Sequence, residues 1–175
     1  VALLLSRSLA NADAIDPGFD LQHLEATTID LRLGNYTPQQ ANRFREELLT
    51  RVTRLSHVDD AALSQIVPLS SEAIGLGPLY RPGTSFNFNS AVFPDWNAVS
   101  PSYFSTMRMP IVRGRAFDDR DARDGSAVVI VNETLARRLW PGQDPVGQSV
   151  IHRSGPLRGS TDRLLAISQE IHTMT

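Results

Sequence analysis

The chain has 175 residues, of which 41% are hydrophobic, so it is long enough to bury the core of one domain or of two small subdomains. Its formal net charge is −2 and no long run of like charge occurs, which argues against a nucleic-acid or anionic-lipid partner. The absence of cysteine excludes disulfide and thiol chemistry.

The first 16 residues are predicted to form an amphipathic helix. Leu4, Leu5 and Leu9 lie near one face, and the proline-glycine pair at residues 17–18 is a strong stop signal. No run in the sequence approaches the ~20 apolar residues that a membrane-spanning helix needs.

The next region predicts a strand, a helix and a second strand. Apolar and polar residues alternate in residues 26–33, which indicates a half-exposed strand. Thr37 can cap the following helix, with Pro38 in its first turn and Gln40 completing a capping box. An apolar stripe, expected to pack on a sheet, runs along this helix: Ala41, Phe44, Leu48, Val52 and Leu55. Residues 58–67 are predicted to return as a strand, parallel to the first and reached by a right-handed connection.

Residues 68–94 change in composition. They are rich in glycine, proline, serine and asparagine, which predicts a long connection that serves as a hinge, with one short strand at residues 84–89. Residues 96–99 are predicted to form a strand that leads into a helix. Ser100 is the expected cap of that helix, which runs to Met107.

Residues 127–147 are the best-specified stretch. Val and Ile in residues 127–131 favour a buried strand, and Asn132 is suited to cap the next helix. The apolar face of that helix is expected to pack back on its own strand: Leu135, Ala136, Leu139 and Trp140. Pro141 predicts an abrupt end to the helix. Residues 163–171 are predicted to form a final strand that rejoins the first subdomain.

Two segments carry a specific pattern of residues. The pattern in residues 97–117 comprises Val99, Ser100, Pro101, Tyr103, Phe104, Pro110, Gly114, Arg115 and Phe117. In residues 127–147 it comprises Val131, Asn132, Glu133, Leu135, Ala136, Arg137, Arg138, Pro141, Gly142, Asp144, Pro145 and Gly147. With these motifs the chain resembles the periplasmic core domain of MacB-like permeases, a subset of the FtsX-like ABC transporter permeases.

The resemblance implies an α+β fold of α/β-like character. It comprises a porter-type βαβ subdomain, residues 21–83 plus 160–175, and an inserted α/β subdomain, residues 84–159. Residues 1–20 would be an N-terminal helix that follows a membrane segment of the parent protein. The resemblance also implies a periplasmic domain of an inner-membrane protein, no cofactor, and three partners: the ATPase region of the parent transporter, a periplasmic adaptor protein, and a second copy in a full-length dimer.

No pattern of residues indicates catalysis, cofactor binding or a metal site. The acidic run at residues 118–124 lacks the spacing of an EF-hand loop, and the interleaved Arg120 and Arg123 are expected to neutralise it. The histidines are scattered without metal-binding spacing: His23, His57, His152 and His172. No nucleophile or phosphate-binding motif is recognisable.

Arginine and aromatic residues of the two motifs are candidates for contact with a partner, because these residue types dominate interface hot spots. The candidates are Arg115, Arg137, Arg138, Tyr103 and Phe104. In the alternative interpretation Arg115 holds the turn that follows it, the two helical arginines form a solvated face, and the aromatic residues belong to the core.

The leading hypothesis is a non-catalytic extracytoplasmic domain that couples the motion of membrane helices to the handling of a substrate or an adaptor. Motion would enter through residues 1–16 and tilt two subdomains about residues 68–94. One alternative is a sensor that binds a small apolar ligand, with a pocket lined by aromatic residues: Phe86, Phe88, Trp96, Tyr103, Phe104 and Trp140. A metal-assisted enzyme is the third hypothesis.

Overall fold

A computed structural model describes most of the chain. The described residues are 18–20, 22–68, 70, 74–85, 87–88, 91–118, 120–121 and 128–152, with the backbone of 164–167. The helix expected over residues 1–16 lies outside them. Within the described part, no helix has both the length and the apolar character needed to cross a membrane.

The structure combines short helices with short strands, which confirms the predicted α+β class. A 3₁₀ turn spans Leu31–Gly34, and the α-helices α1, α2 and α3 span Pro38–Val52, Tyr103–Thr106 and Glu133–Leu139. The strands β1 to β5 span Leu79–Tyr80, Asn97–Ala98, Val128–Val131, Ile151–His152 and Leu164–Ile167.

The strands form two small sheets. In the three-stranded sheet β5 lies in the centre, antiparallel to β2 and parallel to β3, while β1 and β4 form an antiparallel pair. The predicted final strand therefore exists as β5, but the expectation that it rejoins the first subdomain is wrong. Both strands that pair with β5 lie within residues 84–159. Residues 26–33, where the first subdomain was expected to provide a strand, contain none.

Strand β3 separates two hydrophobic cores. Val128 and Ile130 pack against the aromatic core, whose buried members are Phe19, Val99, Tyr103, Phe104, Met107 and Phe117. Val129 and Val131 pack against the helix core, whose buried members are Leu76, Leu79, Leu135, Leu139 and Trp140. Since successive side chains of a strand point to opposite faces, an all-apolar strand can serve both cores.

The strand and helix predicted within residues 127–147 are confirmed. The side-chain oxygen of Asn132 accepts a hydrogen bond from the amide of Leu135 at 2.8 Å, as expected for the cap of α3. The helix ends at Leu139, immediately before Trp140 and Pro141. Leu135 and Leu139 lie in the helix core with Val129, so α3 packs on its own strand.

Helix α1 confirms one prediction and contradicts another. The capping box forms, since Thr37 and Gln40 exchange hydrogen bonds between their side chains and backbone amides. Among the described residues, however, the apolar stripe does not pack on a sheet. Ala41 is the only buried residue of the helix, Leu55 beyond it is 50% exposed, and no α1 residue joins either core. Phe44 instead makes an edge contact with Tyr36 at 5.7 Å.

The strands predicted on either side of α1 do not form. Residues 24–30 carry no strand, and a 3₁₀ turn follows because the carboxylate of Asp30 accepts hydrogen bonds from the amide and guanidinium of Arg32. Residues 58–67 contain a single antiparallel bridge, between Ser64 and Val99, in place of a strand parallel to the first. The expected βαβ unit is therefore wrong for the described residues.

Residues 63–66 are bound instead to β2. The amide of Gln65 donates to the carbonyl of Ala98 at 2.8 Å, and the buried side chain of Asn97 bonds both backbone groups of Ile66, at 2.9 and 2.8 Å. The hydroxyl of Ser100 accepts from the amide of Leu63. Since its hydroxyl is used there, Ser100 does not cap α2, which begins later than predicted.

The strand in the glycine-rich connection also lies earlier than predicted. Residues 84, 85, 87 and 88 form no strand, and the strand of this region is β1. A turn separates the two positions, because the hydroxyl of Thr84 donates to the carbonyl of Arg81 at 2.6 Å. The strand predicted at residues 96–99 is confirmed as β2 with a bridge at Val99.

Candidate interaction surface

The two motif segments meet at the surface of the molecule. Arg113 forms an ion pair with Asp144 at 3.6 Å, and both side chains are more than half exposed. Gly114 has a left-handed φ of +81°, and a Cβ built on it would lie 3.6 Å from the side chain of Val146. Residues 112–115 and 144–146 thus form one patch, called the motif surface, with Val112 70% exposed and Val146 52% exposed.

Arg115 supports the turn beside this surface. Its two terminal nitrogens bond the two carboxylate oxygens of Asp121 at 2.7 and 2.6 Å, and one of these oxygens also accepts the amide of Asp118 at 2.8 Å. The side chain of Asp121 is only 6% exposed. These bonds lower the pKa of Asp121 to about 2, and the hydrogen bond from Arg115 has the largest effect. The geometry favours the interpretation in which Arg115 holds the turn that follows it.

The two described carboxylates of the acidic run, Asp118 and Asp121, are paired with arginines. Arg123, also expected to neutralise the run, lies outside the described residues. Asp118 accepts hydrogen bonds from the guanidinium of Arg120, the shortest at 2.7 Å, and these lower the pKa of Asp118 below its usual value. In the described part of the chain, no three acidic or histidine side chains gather as a metal site would require. The described carboxylates of the run therefore form ion pairs with arginines.

Tyr103 and Phe104 are core residues, which favours the alternative interpretation in which these aromatic residues belong to the core. They are 2% and 8% exposed and meet edge to face at 5.4 Å. Within the described residues the Tyr103 hydroxyl has no hydrogen-bond partner of good geometry. Burial raises the pKa of Tyr103 to about 12, and the polar side chain of Asn97 offsets part of that rise.

Arg137 and Arg138 lie on the exposed face of α3. Arg137 pairs with Glu133 at 2.9 Å, one turn earlier, and also donates to the hydroxyl of Thr134. Their role in contacting a partner stays a prediction. Sequence reasoning missed Arg113 and Asp144, although both lie in the motif segments, because their pairing depends on how two distant loops meet.

The aromatic residues proposed as a ligand pocket do not share one site. Tyr103 and Phe104 belong to the aromatic core, whereas Trp96 and Trp140 lie in or against the helix core on the other side of β3. Phe88 is 69% exposed and contacts Phe93 at 4.9 Å. Phe86 lies outside the described residues.

Comparison with known proteins shows the family of the chain. The family model "MacB-like periplasmic core domain" matches residues 16–158. A probable syringafactin export ATP-binding/permease protein, SyfD, of Pseudomonas syringae is 31% identical over 135 residues, which cover 75% of this chain and 18% of that protein. A probable export ATP-binding/permease protein MacB of Pseudomonas entomophila is 29% identical over 140 residues, which cover 78% of this chain and 19% of that protein.

A macrolide export ATP-binding/permease protein MacB of Neisseria gonorrhoeae is 25% identical over 101 residues, which cover 57% of this chain and 15% of that protein. The chain thus spans less than a fifth of the length of these relatives. No solved structure gives a significant match. Because the family model covers most of the chain, the chain belongs to the family of MacB-like periplasmic core domains, which are non-catalytic.

Proposed function

We propose that this chain is the periplasmic core of an ABC-type export permease and passes the motion of membrane helices to an adaptor protein or a substrate. The support is the family match over residues 16–158 and the names of the similar proteins, which are export ATP-binding/permease proteins. On this proposal, the membrane anchor and the ATPase region belong to the remainder of a longer protein.

One observation carries the proposal. The two motif segments, distant in sequence, meet through Arg113 and Asp144 at the surface while their apolar residues fill the two cores around β3. Such an arrangement presents an exposed patch on a packed scaffold, which suits docking of a partner. Val112 and Val146 provide apolar contact area between charged groups, the composition of a small protein interface.

The proposal retains a division of the chain into two subdomains but moves the boundary. Residues 63–66 are hydrogen-bonded to β2 and Ala62 packs on the aromatic core, so they belong with residues 84–159. Helix α1 contributes to neither core. On this proposal the boundary between the two parts of the chain lies after α1, at residues 53–57.

The test uses the longer protein that carries this chain, placed in lipid nanodiscs with a purified periplasmic adaptor. Replacing Val112 and Val146 with glutamate together is expected to reduce adaptor-stimulated ATP hydrolysis by at least about tenfold, since charged groups would be buried unpaired. Basal hydrolysis should not change. Leu33→Glu is the matched control, because Leu33 is 84% exposed and lies outside the motif surface. Full stimulation of the double variant would refute the docking role.

A further inference from the structure

The segment that precedes α1 is anchored to α2, more than 80 residues further along the chain. Phe19 is 8% exposed inside the aromatic core, and Leu24 packs against the same core. The amide of Asp20 donates to the carbonyl of Met107 at 3.3 Å, and its carboxylate accepts from the guanidinium of Arg108 at 2.6 Å. We call residues 18–20 and 22–24 the entry segment.

Arg108 has an unusual backbone conformation. Its φ is +52°, in the left-handed region that favours glycine. The position is the one directly after the cap of α2, since the amide of Met109 donates to the carbonyl of Phe104 at 2.9 Å and that of Arg108 to the carbonyl of Ser105 at 3.0 Å. This is a Schellman motif, in which glycine is the usual residue. Helix termination alone therefore does not account for an arginine here.

The ion pair with Asp20 explains why this position carries an arginine, whose side chain reaches the carboxylate, and not a glycine. Asp20 is held in place by the amide of Gln22 at 2.9 Å and the ring of His23 at 3.0 Å, both of which bond its carboxylate. The side chain of Asp20 is 20% exposed, whereas that of Arg108 is 60% exposed. The carboxylate of Asp20 is thus held in position, and the long side chain of Arg108 reaches it from the end of α2 with a charge-assisted hydrogen bond.

We infer that the Asp20–Arg108 pair is a latch that holds the entry segment on the aromatic core. Any displacement of the chain before Gly18 then reaches α2 first, through Asp20 and Phe19, and β3 next, since Val128 and Ile130 pack on that core. Helix α1 is not on this route. Only the origin of the displacement rests on the proposed function; the latch itself is a property of the fold.

Amide hydrogen exchange of the isolated chain, followed by NMR, tests the latch. Arg108→Gly removes the ion pair while relieving the backbone, so the amide of Asp20 should exchange on the order of tenfold faster while the melting temperature stays equal or rises. Asp20→Asn should give the same faster exchange at residue 20 without any rise in the melting temperature. The control is Asp30→Asn, because within the described residues Asp30 pairs with the nearby Arg32 and contacts no distant element. This control should alter exchange only near residues 30–34.

Unchanged exchange at Asp20 in Arg108→Gly would overturn the latch. Equal acceleration throughout α3 and β3 would also overturn it, because the pair would then support only global stability. These measurements use neither ATP nor an adaptor. A failed latch therefore leaves the docking test on the motif surface intact, and failure of adaptor-stimulated hydrolysis leaves the latch intact.

Discussion

Asp121 shows how a single residue determines a loop in this protein. Its carboxylate is nearly inaccessible, yet it stays charged because Arg115 and the amide of Asp118 supply three hydrogen bonds. Arginine presents two parallel donors to a carboxylate, which lysine cannot do. The turn after Gly114 is therefore fixed by a side-chain pair as much as by its backbone.

The stability of the chain in acid should report this pair. The pKa of Asp121 is lowered from 3.8 to about 2, so its contribution is present above pH 3.8 and is lost as the pH falls toward 2. Urea unfolding of the wild type should lose stability in that interval more steeply than unfolding of Asp121→Asn. The carboxylate of Asp118 lies 3.5 Å from the guanidinium of Arg115 and its pKa responds to the charge of Asp121, so the difference reports the cluster of Arg115, Asp118 and Asp121. Parallel curves would show that the pair does not stabilise the fold.

At the scale of elements, α1 and α3 differ in what holds them. Helix α3 buries Leu135 and Leu139 in the helix core, whereas α1 has good helix-forming residues and a complete capping box but buries only Ala41. Local signals were enough for α1 to form. Burial against β3 determines where α3 lies.

The same substitution in both helices should separate these two cases. Leu139→Ala removes a side chain that is 5% exposed and should lower the free energy of unfolding by about 2–5 kcal/mol. Leu48→Ala, at a half-buried position of α1, should cost less than about 1.5 kcal/mol. Urea unfolding monitored by tryptophan fluorescence is suitable, since Trp140 lies in the helix core and Trp96 packs against it. Equal losses would mean that α1 is as well packed as α3.

At the scale of the whole molecule, β5 connects parts of the chain that are far apart in sequence. Leu165 is paired with Ala98 on one side and Val129 on the other. A central strand takes part in ladders on both sides, so it cannot accommodate proline. The three-stranded sheet that carries β3 is therefore completed by a strand near the C-terminal end of the sequence.

Leu165→Pro should accordingly destabilise the whole sheet and not only its own strand. The expected loss is at least about 3 kcal/mol, the scale of a proline placed inside a regular element. Leu165→Val keeps the amide and is the matched control. Circular dichroism during urea unfolding would measure both variants. A stability equal to that of the control would show that β5 is not a central strand.

Sequence patterns predicted the elements whose causes are local. The Thr37 and Asn132 caps, the end of α3 before Pro141, and the strand at Val128–Val131 all follow from residues close in sequence, and all are confirmed. The burial predicted for this strand is only partial, because all four of its residues are half-buried. The motif segments also predicted the family. Ser100 shows the limit of this reasoning, because a residue suited to cap a helix bonds instead to Leu63, which is distant in sequence.

The sequence by itself therefore determined the caps of α1 and α3, the end of α3, the strand β3 and the family to which the chain belongs. Only the tertiary structure decided that residues 26–33 form no strand, that β5 pairs between β2 and β3, and that Arg108 reaches Asp20. The physical reason is that caps and turns are satisfied by neighbouring backbone groups. Strand pairing and ion pairs between loops require partners whose positions are set by the packing of the entire chain.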